Sequence, residues 1–235
     1  MITLERTKVM GVDAAIRGMR NPMQSWEWSD SYEDKKLGFV IGENDMRLAR
    51  RLIHAGSDER KFLRQIFVSV DVTAPLYWWK EYDTYKVGTV ANSTSTMHKI
   101  HAREFILDDF SHERLHSRAM RILNETIDEL NMWRNIYNNG GWVDNFDEHD
   151  TSDKFEAKDM RAWHNMIQLL PSSYNQMRTV TMTYENLINM YRARKDHKLD
   201  EWRRFCDAVA HLPYFNEFIT KELNNHDNQN PTADA

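Results

Sequence analysis

The chain has 235 residues, 41% hydrophobic and 29% charged, with a formal net charge of -5, enough length to bury one sizeable core. The acidic balance excludes a general binder of nucleic acid or of anionic membranes, both of which need a cationic face. The single cysteine, Cys206, excludes an intrachain disulfide and a cysteine-built zinc site. No apolar run reaches the length of a membrane span and the first residues lack the apolar stretch of a secretory signal, so a cytoplasmic protein is expected.

In chain order, residues 1–20 read as a strand, or as a strand and a short helix, broken at Asn21-Pro22. Residues 23–36 are polar, carry Trp26 and Trp28, and read as a loop. Residues 38–42 are short and apolar, and Asn44 or Asp45 is the expected N-cap of a helix through 46–53 that ends at Gly56.

The stretch 62–98 carries most of the chemistry. A β-branched run at 66–72 predicts a buried strand, stopped at Ala74-Pro75 because proline donates no ladder hydrogen bond. Tyr77, Trp78, Trp79 and Tyr82 follow, interleaved with Lys80, Glu81 and, further on, Lys86. The stretch closes on Asn92-Ser93-Thr94-Ser95-Thr96, a hydroxyl-rich turn whose backbone N–H groups suit an anion. An ordinary core strand followed by an aromatic-packed loop would account for the same residues; their concentration favours a ligand site.

From 111 to 138 apolar residues recur at steps of three and four, which predicts a long amphipathic helix capped by Ser111 and ended by Gly140-Gly141. Residues 142–162 are acidic and polar and read as an excursion or lid. A helix over 162–170 stops at Pro171, and 178–183 alternates as a short strand. Thr183 caps a helix that reaches Arg194, and a last helix carries Trp202, Phe205, Val209 and Leu212. The expectation is one α+β domain over 1–224, mostly helical with a small mixed sheet, and a disordered tail at 225–235.

His112-Glu113-Arg114-Leu115-His116 matches HExxH, which on a helix places two histidines on one face to bind zinc. No third ligand follows at a useful spacing, so solvated polar residues at a helix start are the favoured reading, a zinc hydrolase the remote one, and no metal is expected. Arg192, Arg194, Lys195, His197, Lys198, Glu201, Arg203 and Arg204 form a second, largely basic constellation. Most of it reads as a solvated face, but Arg194 closes one helix and Arg203 opens the next, so both are candidates to meet one anion. Cys206 lies on the apolar stripe and reads as core rather than nucleophile. No residue stands out as catalytic.

Two separated segments, 44–98 and 178–212, resemble in order the flavin-dependent thymidylate synthase family. Its members carry a strand ending near a proline, then an Arg-Gln-aromatic step, an Arg-His-Arg and an Asn-Glu-x-Ser-x-Arg. Here the strand is 66–72 with Pro75, Lys80-Glu81-Tyr82 stands at the Arg-Gln-aromatic step, and Asn92-Ser93-Thr94-Ser95 stands at Asn-Glu-x-Ser. The late pair of helices in the family corresponds to 187–194 and to Glu201-Trp202-Arg203. The departures are Thr84-Tyr85-Lys86 or Tyr85-Lys86-Val87 for Arg-His-Arg, Ser93 for the glutamate and Met97 for the last arginine, while the late-helix arginine falls near Glu185.

The resemblance implies reductive methylation of dUMP to dTMP with FAD, with NADPH and methylenetetrahydrofolate as co-substrates, in a homotetramer. It implies nucleotide contacts at Glu81, Ser93, Thr94, Ser95, Thr96 and Arg203, and flavin contacts at Lys80, Lys86, Asn92, His98 and Arg194. The altered Arg-His-Arg leaves open a non-redox nucleotide-binding or structural oligomer on the same fold.

Overall fold

The computed structural model describes residues 2–144 and 152–219. Strand β1 (Thr3–Met10) and helix α1 (Val12–Gly18) realise the strand-then-helix reading of the N-terminus. Gly11 joins them at φ +80, and a Cβ there would meet the Gln65 carbonyl oxygen at 2.5 Å, so both conformation and space demand glycine. The expected loop at 23–36 is more ordered than its polarity suggests. It holds a 3-10 turn at Trp26–Trp28 and β2 (Tyr32–Asp34), which pairs antiparallel with β3 (Gly38–Val40), Tyr32 opposite Val40.

Helix α2 (Glu43–Ala55) is capped by neither Asn44 nor Asp45. Asp30, from the preceding loop, accepts the Asn44 and Asp45 N–H groups at 2.9 and 3.1 Å, a carboxylate at the positive end of the helix. Asp45 is instead fully buried and receives Arg20 Nε at 2.5 Å, Ser29 Oγ at 2.7 Å and Ser31 Oγ at 2.5 Å. A 3-10 stretch, Glu59–Gln65, leads into β4 (Phe67–Pro75). Val68, Val70, Val72 and Ala74 bury one face of β4 while Ser69, Asp71 and Thr73 lie half-buried on the other, the period of two that a pleated strand imposes.

The aromatic block after Pro75 folds as helix α3 (Leu76–Tyr82) rather than as a loop. Trp78, Trp79 and Tyr82 are 0%, 1% and 2% exposed, with the two indole rings edge to face at 4.8 Å. They are core of this chain, and their faces are closed to a ligand. Next come β5 (Val90–Ser93), α4 (Thr96–Lys99) and α5 (Ser117–Asn139). Helix α5 begins five residues later than expected, its N-cap at 116 instead of 111. Ser111 does not cap it; the Ser111 N–H donates to the Ser173 carbonyl at 2.8 Å and its hydroxyl to Asn175 Oδ1 at 3.0 Å. His116 is the N-cap, accepting from the Arg118 N–H at 3.3 Å.

Strands β6 (Gly141–Asp144) and β7 (Ser152–Phe155) pair antiparallel inside the stretch expected to be an excursion. Residues 145–151 and the expected tail at 225–235 lie outside the described residues. Helix α6 (Met160–Leu169), β8 (Asn175–Thr183), α7 (Tyr184–Arg194), α8 (Asp200–Ala210) and α9 (Phe215–Ile219) follow. Thr183 caps α7 as expected, within a reciprocal box with Asn186.

Four strands form one sheet in the order β1-β4-β8-β5, and the chain is α+β, as the sequence predicts. Two compact units are distinguished, and most of their boundaries fall within strands. One takes in Val72–Thr84 and Asn92–Arg178; its core joins Phe105, Phe110, Leu123, Ile127, Leu130 and Met166. The other takes in Leu4–Asp71, Tyr85–Ala91 and the described residues from Thr179 onward, and buries Leu63, Tyr184, Trp202, Phe205, Phe215 and Phe218. No described helix is long and apolar enough to cross a membrane.

Burial pushes the Asp45 carboxyl up, but the hydrogen bonds of Ser31, Ser29 and Arg20 and the charge of Arg20 more than reverse this and hold it below the ordinary value. A carboxyl lowered by folding contributes stability that is whole above its unfolded pKa and lost as pH falls through its folded one. Asp45→Asn leaves the Arg20 charge buried without its partner and is expected to cost about 3–5 kcal/mol in urea unfolding at pH 7. The gap to the wild type should narrow below about pH 4, where an unfolded aspartate protonates. A gap unchanged between neutral and acid pH contradicts the role given to this carboxylate.

Candidate functional site

The expected site residues divide between the two units. In the unit holding α3 and α4, Lys80 is exposed on the last turn of α3 and Glu81 is half-buried beside it. Asn92 and Ser93 end β5, which is exposed along its whole length at one edge of the sheet. The Thr94 N–H and hydroxyl both donate to the Met177 carbonyl, at 2.9 and 3.2 Å. Ser95 caps α4, accepting from the His98 N–H at 3.1 Å, and Thr96 is the first residue of that helix. His98 is exposed. The hydroxyl-rich turn is therefore split among a strand end, a pinned corner and a helix cap, with Asn92, Ser93 and His98 left facing solvent.

Sequence reasoning missed the residues that hold this turn in place. Gln176 Nε2 donates to the Thr94 carbonyl at 2.8 Å, and the Gln176 carbonyl accepts the Trp79 indole N–H at 2.8 Å. Arg178 lies with its guanidinium 4.2 Å over the Trp79 ring, pairs with Asp83 at 2.9 Å, and donates from Nε to Gln176 Oε1 at 3.0 Å. Trp163 adds a donor to the Met97 carbonyl at 3.2 Å. Asp83 and Arg178 stand far apart along the chain, and no local spacing announces their pairing.

In the other unit Lys86 is exposed, whereas Arg194 is half-buried. Its Nε donates to the Tyr85 hydroxyl at 2.9 Å, its Nη1 lies 3.0 Å from His197 Nε2, and its guanidinium stacks 4.9 Å from the Trp202 ring centre. Arg203 donates to the His197 carbonyl at 2.6 Å and pairs with Asp200. Arg194 and Arg203 do converge, as their positions at a helix end and a helix start suggested. They converge on His197, one at its ring and one at its carbonyl, and so clamp the loop between α7 and α8.

The HExxH segment precedes α5 rather than lying on it. His112 Nδ1 is 2.8 Å from the Phe110 carbonyl and His116 serves as the N-cap, so the shared helical face that zinc would need is missing. Among the described residues no group of three or more His, Cys, Asp or Glu side chains is placed to hold a metal ion.

Cys206 is 2% exposed, and burial, with the charges of Asp207 and Asp196, pushes its thiol up to about 12. A thiol so raised holds almost no thiolate at neutral pH. An aromatic disulfide reagent at pH 8 should leave Cys206 unmodified in the native protein and titrate one thiol per chain in denaturant. Fast native labelling would contradict its assignment to the core.

Two solved structures match this fold along nearly the whole of both chains. Both are of flavin-dependent thymidylate synthase ThyX from Helicobacter pylori with FAD and dUMP. One superposes with a TM-score of 0.61 at 16% identity, covering 94% of this chain and 98% of that one. The other gives 0.59 at 16% identity, covering 96% and 99%. At such identity the likeness is one of fold. No family profile matches the sequence, and no curated protein matches it.

Proposed function

We propose that this chain is a divergent flavin-dependent thymidylate synthase-like protein of the cytoplasm that binds dUMP and converts it to dTMP by reductive methylation. The observation that carries the reading is the match of fold, end to end, to two proteins solved with FAD and dUMP. The ordered sequence segments at 44–98 and 178–212 support it independently.

On this reading Ser93, Ser95 and Thr96 offer hydroxyls and backbone N–H groups to the nucleotide phosphate. Thr94, whose own donors both go to Met177, fixes the backbone of that turn. Glu81 would accept from the pyrimidine edge. Arg203 is assigned to the nucleotide by the resemblance alone, and any contact there requires its pairing with Asp200 to yield or be shared.

Lys80, Lys86, Asn92 and His98 carry cationic or amide donors, chemistry that fits the pyrophosphate of a dinucleotide. Trp78 and Trp79, being buried, leave the flat ring to other walls. Arg194, assigned to the flavin by resemblance, is held by Tyr85, His197 and Trp202, and so acts through the shape of its loop. A bound reduced flavin would supply the hydride, drawn from NADPH, that completes the methyl group whose carbon comes from methylenetetrahydrofolate. The residues here bind and orient; none is placed as a nucleophile. The assembly on this reading is a homotetramer.

A second reading keeps the fold and the nucleotide but not the redox chemistry. It is favoured by Thr84-Tyr85-Lys86 at the Arg-His-Arg position and by the engagement of Arg194 with Tyr85 and His197.

Calorimetric titration of the full chain with dUMP tests the nucleotide site. Ser93→Ala and Arg203→Ala should each weaken binding by about tenfold, the scale of one charge-assisted hydrogen bond. Unchanged affinity in both variants, with circular dichroism intact, removes the proposed site.

A further inference from the structure

A cleft of about 360 Å³ lies within the unit that carries α2, between that helix and the loop after α1. Its lining includes Met23, Trp28, Arg47 and Arg51, and contains no carboxylate. None of these residues belongs to the site proposed above.

Trp28 is 64% exposed, yet its backbone is fixed. Its N–H donates to the Ser25 carbonyl at 3.2 Å, and its carbonyl accepts from Arg20 Nη2 at 3.1 Å. Arg20 is 4% exposed and is locked in turn on the buried Asp45. A large indole is thus presented to water by a buried ionic scaffold, where a polar residue would solvate at no cost. Met23, 47% exposed, adds a soft apolar wall.

Arg47 and Arg51 lie four residues apart on α2 and so share a face. Arg47 meets Glu43 only at 3.6 Å, between side chains 71% and 90% exposed, a contact of little worth that a ligand could replace. Arg51 makes no hydrogen bond or ion pair among the described residues. Since Arg20 is already neutralised by Asp45, the cleft presents two available guanidinium groups beside an aromatic face.

We infer that this cleft binds a planar aromatic anion of nucleotide size, its ring against Trp28 and Met23 and its anionic group on Arg47 and Arg51. Guanidinium groups bind phosphate or carboxylate oxygens bidentately, and an indole face accepts a heteroaromatic ring by stacking. The volume falls in the range of small-molecule pockets.

Adenosine 5′-monophosphate is the probe, titrated calorimetrically into the full chain. Saturable binding is expected, weakened by about tenfold or more in Trp28→Ala and in the double variant Arg47→Glu/Arg51→Glu. Trp28→Phe should keep affinity within about threefold, and adenosine should bind at least about tenfold more weakly than its monophosphate. All three substituted positions of the cleft are on the surface, and circular dichroism checks that each variant folds. Absence of saturation up to about 10 mM overturns the assignment. So does unchanged affinity in both Trp28→Ala and the double arginine variant, adenosine binding as tightly as its monophosphate, or a loss confined to Arg203→Ala.

Discussion

The hydrogen bond from the Trp79 indole to the Gln176 carbonyl sets the character of the region most suspected of chemistry. A buried indole N–H needs an acceptor, and the backbone of β8 supplies it. With Trp79 anchored there, α3 must turn its aromatic face inward, and Trp78 and Tyr82 are buried with it. The side chain of the same glutamine holds the Thr94 carbonyl, and Arg178 covers the outer face of the Trp79 ring while pairing with Asp83. One strand residue therefore fixes a helix and a turn together. What α3 and the turn leave outside is mainly polar, Lys80, Asn92, Ser93 and His98, with Met97 half-exposed beside them. The tryptophans build the platform and the small polar residues face the solvent.

The arginines divide in a similar way. Arg60 and Arg64 both pair with Glu185, which is 8% exposed, and Arg20 is sealed on Asp45. Arg194 and Arg203 clamp His197. Each guanidinium has enough donors to hold backbone and side-chain acceptors at once, which suits it to fixing irregular segments that helices and strands cannot reach. Arg51, in contrast, has no such partner among the described residues, and it stands beside an exposed tryptophan.

The periodic elements were legible in the sequence. The steps of three and four that predict α5 reappear as Leu123, Ile127 and Leu130 on its buried face, and Thr183 caps α7 where its hydroxyl chemistry predicts. The ordered segments that resemble a known family anticipate the fold. Three kinds of error have physical causes. The aromatic block after Pro75 has weak helix propensity, and tertiary burial of its rings overrides it. The β2–β3 hairpin has strands of three residues each, too short for alternation to show. The start of α5 slipped because Ser111 has the chemistry of a cap but uses it on Ser173 and Asn175, far along the chain. The pairing of Asp83 with Arg178 is a tertiary fact that no local spacing encodes.

The visible absorption spectrum of the purified protein, taken after addition of FAD and removal of the excess, tests the central claim most directly. Retention of a flavin spectrum in about one equivalent per chain is the result predicted for a flavin-dependent thymidylate synthase-like protein. A colourless protein that still binds dUMP would contradict the redox part of the claim and leave the same fold as a nucleotide-binding one.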